Sequence, residues 1–143
     1  MRYNFTNEKS RLNKNIKDVI SWHDEGITYD KAIERIHNRW DEKFSHDWCH
    51  TISNAEIVTM GLLWSEGNYE KGICRAVEAC FDTDCNGATV GSIMGMVIGA
   101  KKIPPKWIKP LNDTLETGVK GYNFVKISDM AKKTIELYKK FSI

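Results

Sequence analysis

Two aspartates stand two residues apart in the stretch "FDTDCNGATVG", where Asp82 and Asp84 precede a run of glycine and apolar residues. Paired carboxylate oxygens are ligands that Mg²⁺ and Ca²⁺ take from proteins. An alternative is local, because an aspartate just before a helix can accept hydrogen bonds from the first backbone N–H groups. Asp84 as such a cap would accept from Asn86 or Gly87, which leaves Asp82 without a role. Both interpretations stay open on these residues alone.

The residues that follow the aspartates predict a helix with glycine at every fourth position. It would begin just after Asp84, end near Ala100 and carry these glycines on one stripe: Gly87, Gly91, Gly95 and Gly99. A glycine inside a helix costs roughly 0.5–1 kcal/mol relative to alanine. Close packing of neighbouring helices along the stripe would offset that cost. Its other positions are apolar nearly all round, which is typical of a helix buried at the centre of a bundle.

Two further patterns resemble metal sites but lack a required ligand. Residues 82–87 fit the first half of an EF-hand calcium loop, whose twelfth position must be glutamate and is Ile93 here. The stretch "HDWCH", residues 46–50, resembles the zinc motif H-E-x-x-H. A zinc protease takes its third ligand downstream of that motif, whereas the two remaining histidines lie upstream. We expect His50 to cap a helix or to support a neighbouring site.

The composition excludes several classes of protein. A chain of 143 residues with 41% hydrophobic and 28% charged residues suits one globular domain. The net charge of +2, from 21 basic and 19 acidic residues, is too balanced to predict nucleic-acid binding. No window is apolar and long enough to span a membrane, and no signal peptide is recognisable. The four cysteines, without C-x-x-C spacing, therefore predict reduced thiols in a cytoplasmic protein rather than a zinc site.

Capping and breaking signals predict an all-α fold. Helix-capping positions are assigned to four polar residues: Ser10, Thr28, Asn68 and Ser128. Another helix is expected from about Thr51 to Glu66, with Gly67 in the left-handed position after it. Three prolines exclude a long helix through residues 103–110. No alternating pattern of useful length predicts a β-strand.

The chain is predicted to form a single domain over residues 1–143. Residues 1–43 are highly charged and predict a helical outer layer, whereas residues 44–100 are apolar and carry most of the glycines. Residues 44–125 are expected to form the core on the strength of the family resemblance given below. Residues 126–143 predict a terminal helix. The predicted fold class is thus an all-α helical bundle around the buried, glycine-striped helix.

A longer segment carries the residues of a known family. The motif D-[TS]-D-[TSC]-N-x-A/G-x-x-x-G runs from Asp82 to Gly91, within "DWCHTISNAEIVTMGLLWSEGNYEKGICRAVEACFDTDCNGATVGSIMGMVIGA", and "IPPKWIKPLNDTLETGVKGY" follows shortly afterwards. On these residues, positions 45–125 resemble the C-terminal half of the ADP-ribosylglycohydrolase family. That family includes the dinitrogenase-reductase-activating glycohydrolases and the J1 lens crystallins.

The resemblance implies a helical bundle around two Mg²⁺ ions that hydrolyses the glycosidic bond of ADP-ribosylated proteins or small ADP-ribose conjugates. Carried over by position, Asp82 and Asp84 would be catalytic and would bind metal. Cys85 would replace a threonine or serine that also binds metal in the family. Asn86 and Gly87 would contact the substrate. No nucleic acid or membrane partner is implied.

The family's other metal ligands come from an N-terminal segment of the type T/S-D-D-T, and nothing in residues 1–43 resembles it. The chain is therefore expected to hold one side of the metal centre, as a short protein or a piece of a longer one, and to be a poor catalyst alone. His50, Thr51 and Asn54 are expected to support the site. A second copy, or a chain carrying the missing half, would cover the glycine-striped helix.

A second function stays open beside hydrolysis. The chain is also compatible with a non-catalytic structural or binding protein of the J1 crystallin type. It is equally compatible with a half-domain that pairs with another chain.

Overall fold

A computed structural model describes residues 7–141, in which seven α-helices and one two-stranded sheet occur, so the all-α fold class is confirmed. By contacts between residues the chain divides into two compact units, residues 1–100 and 101–143. The first unit contains α1 (Arg11–Asp24), α2 (Tyr29–His37), α3 (Thr51–Leu63), α4 (Tyr69–Glu78) and α5 (Thr83–Ile98). The predicted single domain, divided near residues 43 and 125, stays a prediction.

Polar side chains begin three helices of the first unit at the predicted places. Ser10, Thr28 and Asn68 each accept a hydrogen bond from the backbone N–H three residues later, which caps α1, α2 and α4. Nδ1 of His50 accepts from the N–H of Ile52 at 3.1 Å and caps α3. The predicted capping roles of these four residues are confirmed, because each cap needs only its own neighbours in sequence.

The helix at the centre of the first unit is α3, since it packs against α1, α2, α4 and α5. Ile57 and Met60 of α3 are fully buried. One side of α5 packs on α4 and α3. The other side exposes Met96 and Val97, which are 87% and 80% accessible. The prediction that α5 is buried all round is therefore wrong, because the described residues supply neighbours to only one of its sides.

Two of the four predicted stripe glycines, Gly87 and Gly91, allow close approach of α5 to α4. A Cβ atom added at Gly87 would lie 3.0 Å from Cγ2 of Val77, and one at Gly91 would lie 3.3 Å from Cδ1 of Ile73. These distances leave little or no room for a side chain on either glycine. Gly99 does not extend the stripe, because the helix ends one residue earlier and Gly99 has a φ of +81°. A residue without a Cβ is favoured at that left-handed position.

A methyl group added at Gly61, where α3 meets α4, should destabilise the first unit. Its Cβ would lie 3.1 Å from Cβ of Ala76 and 3.2 Å from both the carbonyl oxygen of Gly72 and Cγ2 of Val90. Overpacking costs about 1–3 kcal/mol, and the better helix propensity of alanine offsets about 1 kcal/mol of it. Gly61→Ala should lower the free energy of unfolding by about 1 kcal/mol, measured by urea denaturation.

The nearest methyl provides the control for this experiment. Ala76→Gly removes the Cβ closest to the new atom, so Gly61→Ala should cost less in that background, with a coupling of about 0.5 kcal/mol or more. An identical cost in both backgrounds would contradict steric crowding between α3 and α4.

Residues 101–143 form the second unit. Its helices and strands are α6 (Pro105–Ile108), β1 (Thr114–Glu116), β2 (Phe124–Lys126) and α7 (Ile127–Phe141), with a 3₁₀ turn at Lys109–Leu111. Another 3₁₀ turn, Ala100–Lys102, spans the boundary between the two units in the sequence. The prolines confine α6 to four residues, as predicted. The antiparallel pair β1–β2 places Leu115 opposite Val125. It escaped prediction because strands of three residues are too short to show an alternating pattern.

The acceptor for the first turn of α7 is the carboxylate of Asp113, and not the side chain of Ser128. The carboxylate of Asp113 accepts from the N–H of Ser128 at 2.8 Å and from its hydroxyl at 2.7 Å. These hydrogen bonds lower the pKa of the Asp113 carboxyl. Ser128 lies inside the helix, which begins at Ile127. The predicted Ser128 cap is wrong because a carboxylate fifteen residues upstream provides the acceptor for the first turn.

The structure bears on two further predictions, which concern the cysteine thiols and membrane-spanning helices. The four cysteines, all within the described residues, are free thiols, as predicted. Within residues 7–141, no helix combines the length and apolar character needed to cross a lipid bilayer.

Candidate functional site

The candidate site follows a link of three residues, 79–81, that connects α4, which ends at Glu78, to Asp82, the residue before α5 begins at Thr83. Within this link Cys80 and Phe81 have φ values of 64° and 60°. A residue with a Cβ atom pays roughly 1–2 kcal/mol for this left-handed conformation. Two such residues in succession are held only where surrounding contacts enforce them, and such strain concentrates at functional sites. The next residue is Asp82.

Neither of the two aspartate side chains caps α5. Asp82 occupies the N-cap position of α5, and its side chain accepts no capping hydrogen bond. Asp84 is the second residue of the helix and is exposed. The prediction that α5 begins after Asp84 is wrong, and so is the alternative in which Asp84 caps it, because the helix already begins at Thr83. Capping therefore explains neither carboxylate.

Two amides orient the carboxylate of Asp82. Its Oδ2 accepts a hydrogen bond from Nδ2 of Asn54 at 3.1 Å. Oδ1 of Asn54 accepts in turn from Nδ2 of Asn86 at 3.3 Å. Asn86 is 1% exposed, so this chain of hydrogen bonds runs from the interior to the carboxylate. It joins the first turn of α3 to the first turn of α5 and fixes how Asp82 is presented.

Of the remaining sequence-predicted residues, Asn86 belongs to this chain of hydrogen bonds, whereas Cys85 and Gly87 lie apart from it. Cys85 is an exposed thiol in the first turn of α5. Sulfur is a soft donor and Mg²⁺ prefers oxygen, so Cys85 is chemically the poorest ligand of the predicted set. Gly87 is buried against α4, and Asn86 supports Asn54. The substrate contacts of Asn86 and Gly87 and the metal contact of Cys85 stay predictions.

The donor set suits one side of a hard-cation site. Asp82 and Asp84 supply carboxylate oxygens at the start of α5, and oxygen is what Mg²⁺ and Ca²⁺ prefer. Within the described part of the chain, no group of three or more His, Cys, Asp and Glu side chains is placed to hold a metal ion. Two carboxylates are a donor set compatible with Mg²⁺, which usually keeps several water ligands.

The histidines of "HDWCH" do not form a zinc site of the protease type. His50 precedes α3 as its cap, so it does not share a helix with His46. Nδ1 of His46 lies 2.9 Å from Oδ1 of Asp47. The ring of His50 stacks on Trp40 with centroids 4.9 Å apart. These local contacts account for both histidines, in agreement with the sequence-based rejection.

One residue that contacts the link was missed by sequence reasoning. His37, the last residue of α2, places Nε2 at 3.1 Å from the carbonyl oxygen of Ala79. Its ring lies 4.9 Å from that of Phe81, centroid to centroid. A lone histidine 42 positions upstream carries no local signal that could have revealed either contact.

The fold is all-α, and its candidate cation site combines two carboxylates at the start of α5 with the amide of Asn54, which orients Asp82. The model of the ADP-ribosylglycohydrolase family matches residues 2–141, nearly the whole chain. The chain belongs to the ADP-ribosylglycohydrolase family. The match extends beyond the predicted segment 45–125 into the charged N-terminal helices and the last helix. Comparison with curated proteins and with solved structures gave no match.

Proposed function

We propose that this chain supplies the Asp82–Asp84 side of a Mg²⁺ centre that hydrolyses the glycosidic bond of ADP-ribose conjugates. Its substrate would be an ADP-ribosylated protein or a small ADP-ribose conjugate, in the cytoplasm. Family membership supports the class of reaction. The observation that carries the proposal is the pair of carboxylates at the start of α5. Neither of them caps the helix, and Asn54 orients the carboxylate of Asp82.

The residues of this chain would divide the work as follows. Asp82 and Asp84 would hold the cation, with Asn54 fixing the first of them and Asn86 fixing Asn54. The chemistry supplied by Mg²⁺ held there would be an activated water and stabilisation of negative charge on the oxygens that it binds. Glycosidic cleavage passes through an oxocarbenium-like transition state, in which positive charge develops on the sugar.

Completion of the centre is part of the proposal. The described residues provide two carboxylates and no group of three ligands, whereas Mg²⁺ takes six oxygen ligands, several of which are usually water. Because the family's other metal ligands come from a T/S-D-D-T segment and residues 1–43 contain none, we assign the remaining protein ligands to another segment or another chain. A second copy of this protein and a partner carrying a T/S-D-D-T segment are the two candidates.

A non-catalytic binding role is the second candidate. Cys85 stands where an oxygen ligand is expected, and the described residues contain no third ligand. Both observations favour a structural or binding protein of the J1 crystallin type, or a half-domain that pairs with another chain.

Titration calorimetry tests the proposal directly. The protein should bind Mg²⁺, and ADP-ribose should bind about tenfold tighter with Mg²⁺ than with a chelator, because linked ligands strengthen each other. Equal ADP-ribose binding under both conditions would favour the binding role over hydrolysis. No heat with either ligand would contradict the hydrolytic function for this chain alone and would favour the structural role.

A further inference from the structure

The link before Asp82 is restrained by His37, and the inference drawn from this contact rests on the proposed Mg²⁺ site. Nε2 of His37 lies 3.1 Å from the carbonyl oxygen of Ala79, at the beginning of the link. The ring packs against Phe81, the residue that directly precedes Asp82. One side chain from α2 thus contacts both ends of the segment 79–81.

The hydrogen bond has a defined direction. A carbonyl oxygen only accepts, so Nε2 carries the hydrogen and donates it. Ala79 is the C-cap residue of α4, and the last carbonyl groups of a helix lack partners within the helix. His37 therefore satisfies an otherwise unpaired acceptor and fixes the direction in which the chain leaves α4. Its other nitrogen, Nδ1, faces Oε2 of Glu42 at 3.8 Å.

The conformation of the link requires such an outside contact. Cys80 and Phe81 have positive φ although neither is glycine, and this conformation persists only where neighbouring groups enforce it. We propose that His37 is a positioning residue, which holds the 79–81 link in its left-handed conformation and thereby sets the placement of the Asp82 carboxylate. Asn54 restrains the side chain of Asp82, whereas His37 restrains the backbone that leads to it.

Three variants separate the two contacts of His37. His37→Gln keeps an N–H donor but removes the ring. His37→Phe keeps a ring against Phe81 but removes the donor, and His37→Ala removes both. The control is His23→Ala, because His23 also lies in the last turn of a helix and its ring contacts Trp64 instead of the link.

The readouts are the dissociation constant for Mg²⁺, measured by calorimetry, and the ¹³Cα chemical shifts of residues 80–82 in the metal-free protein. His37→Phe and His37→Ala should weaken Mg²⁺ binding about tenfold, as loss of supporting contacts does at metal sites. Both should also move the shifts of Cys80 and Phe81. His37→Gln should restore affinity and shifts, and His23→Ala should change neither.

The outcomes distinguish this inference from the proposed function. Wild-type affinity and shifts in His37→Phe, with only a lower unfolding temperature, would overturn the positioning role while leaving the Mg²⁺ site intact. If the wild type binds no Mg²⁺, the proposed function fails and the shifts decide alone. Shifts that move in His37→Phe but not in His37→Gln would still support the role, and unchanged shifts would overturn it. If His37→Ala does not fold, the other two variants give the answer.

Discussion

Asp82→Asn and Asp84→Asn should each weaken Mg²⁺ binding by at least about tenfold, because affinity for hard cations follows the number of charged oxygen ligands. Asparagine at position 82 retains an oxygen that can accept from Asn54, so the hydrogen bonds around α5 should persist. The loss would therefore report on the ligand charge and not on the fold. Calorimetric titration with Mg²⁺ measures it.

The matched control for this prediction is Asp30→Asn. Asp30 is the second residue of α2, as Asp84 is of α5, so both changes remove one negative charge from the first turn of a helix. Asp30→Asn should leave Mg²⁺ affinity unchanged. Equal losses at Asp30 and Asp84 would point to a general charge effect, and unchanged affinity in Asp82→Asn would remove the basis for the site.

Glu56→Ala is expected to lower the free energy of unfolding by about 3 kcal/mol, because a buried carboxylate that satisfies two donors would be lost. Glu56 is fully buried. Its Oε1 accepts from Nη1 of Arg39 at 2.7 Å and its Oε2 from Nε1 of Trp40 at 2.5 Å. Arg39 also reaches Asp18 at 2.7 Å. Denaturation in urea measures the loss.

Asp18→Ala provides the comparison, because it removes the other carboxylate that pairs with Arg39. Asp18 is about a third exposed, with a side-chain accessibility of 32%. An ion pair of this kind contributes about 1 kcal/mol or less. A loss for Asp18→Ala as large as that for Glu56→Ala would show that burial is not the source of the effect.

The protonation of Glu56 gives this prediction a dependence on pH. Burial raises the pKa of Glu56 above its ordinary value of 4.5, although hydrogen bonds from Trp40 and Arg39 oppose the shift. The folded state therefore binds the proton more tightly than the unfolded state. The contribution of this group to stability should rise as the pH falls through the folded pKa toward 4.5. Wild type should gain stability relative to Glu56→Gln over that range, and a constant difference would contradict the raised pKa.

The sequence predicts most reliably those features whose cause lies within one helical turn. Ser10, Thr28 and Asn68 cap helices as expected, because donor and acceptor are three positions apart. The same reasoning fails at Ser128, whose N–H and hydroxyl are satisfied by a carboxylate fifteen positions away. It also misses the contact of His37 with Ala79 across 42 positions. Long-range partners leave no periodic trace in the sequence.

The candidate site shows the same division. The motif in the sequence identifies the two carboxylates. Their hydrogen-bond partners could not be predicted, because those partners depend on the residue at which α5 begins. The start of α5 at Thr83 rather than after Asp84 makes Asp82 the residue that faces Asn54. The apolar character of α5 was likewise visible, but which of its sides would be covered depends on neighbours that a pattern of residue types does not specify.

Asn54 and Glu56 stand two positions apart on α3, about 200° around the helix axis from one another. One carries the amide that steadies the carboxylate of Asp82, and the other anchors the interior ion pair. Both belong to α3, the helix against which the other four helices of the first unit pack. Heating should therefore disrupt the Asn54–Asp82 contact and the tertiary structure of residues 7–100 in a single cooperative event, with no separate local melting around Asp82 beforehand.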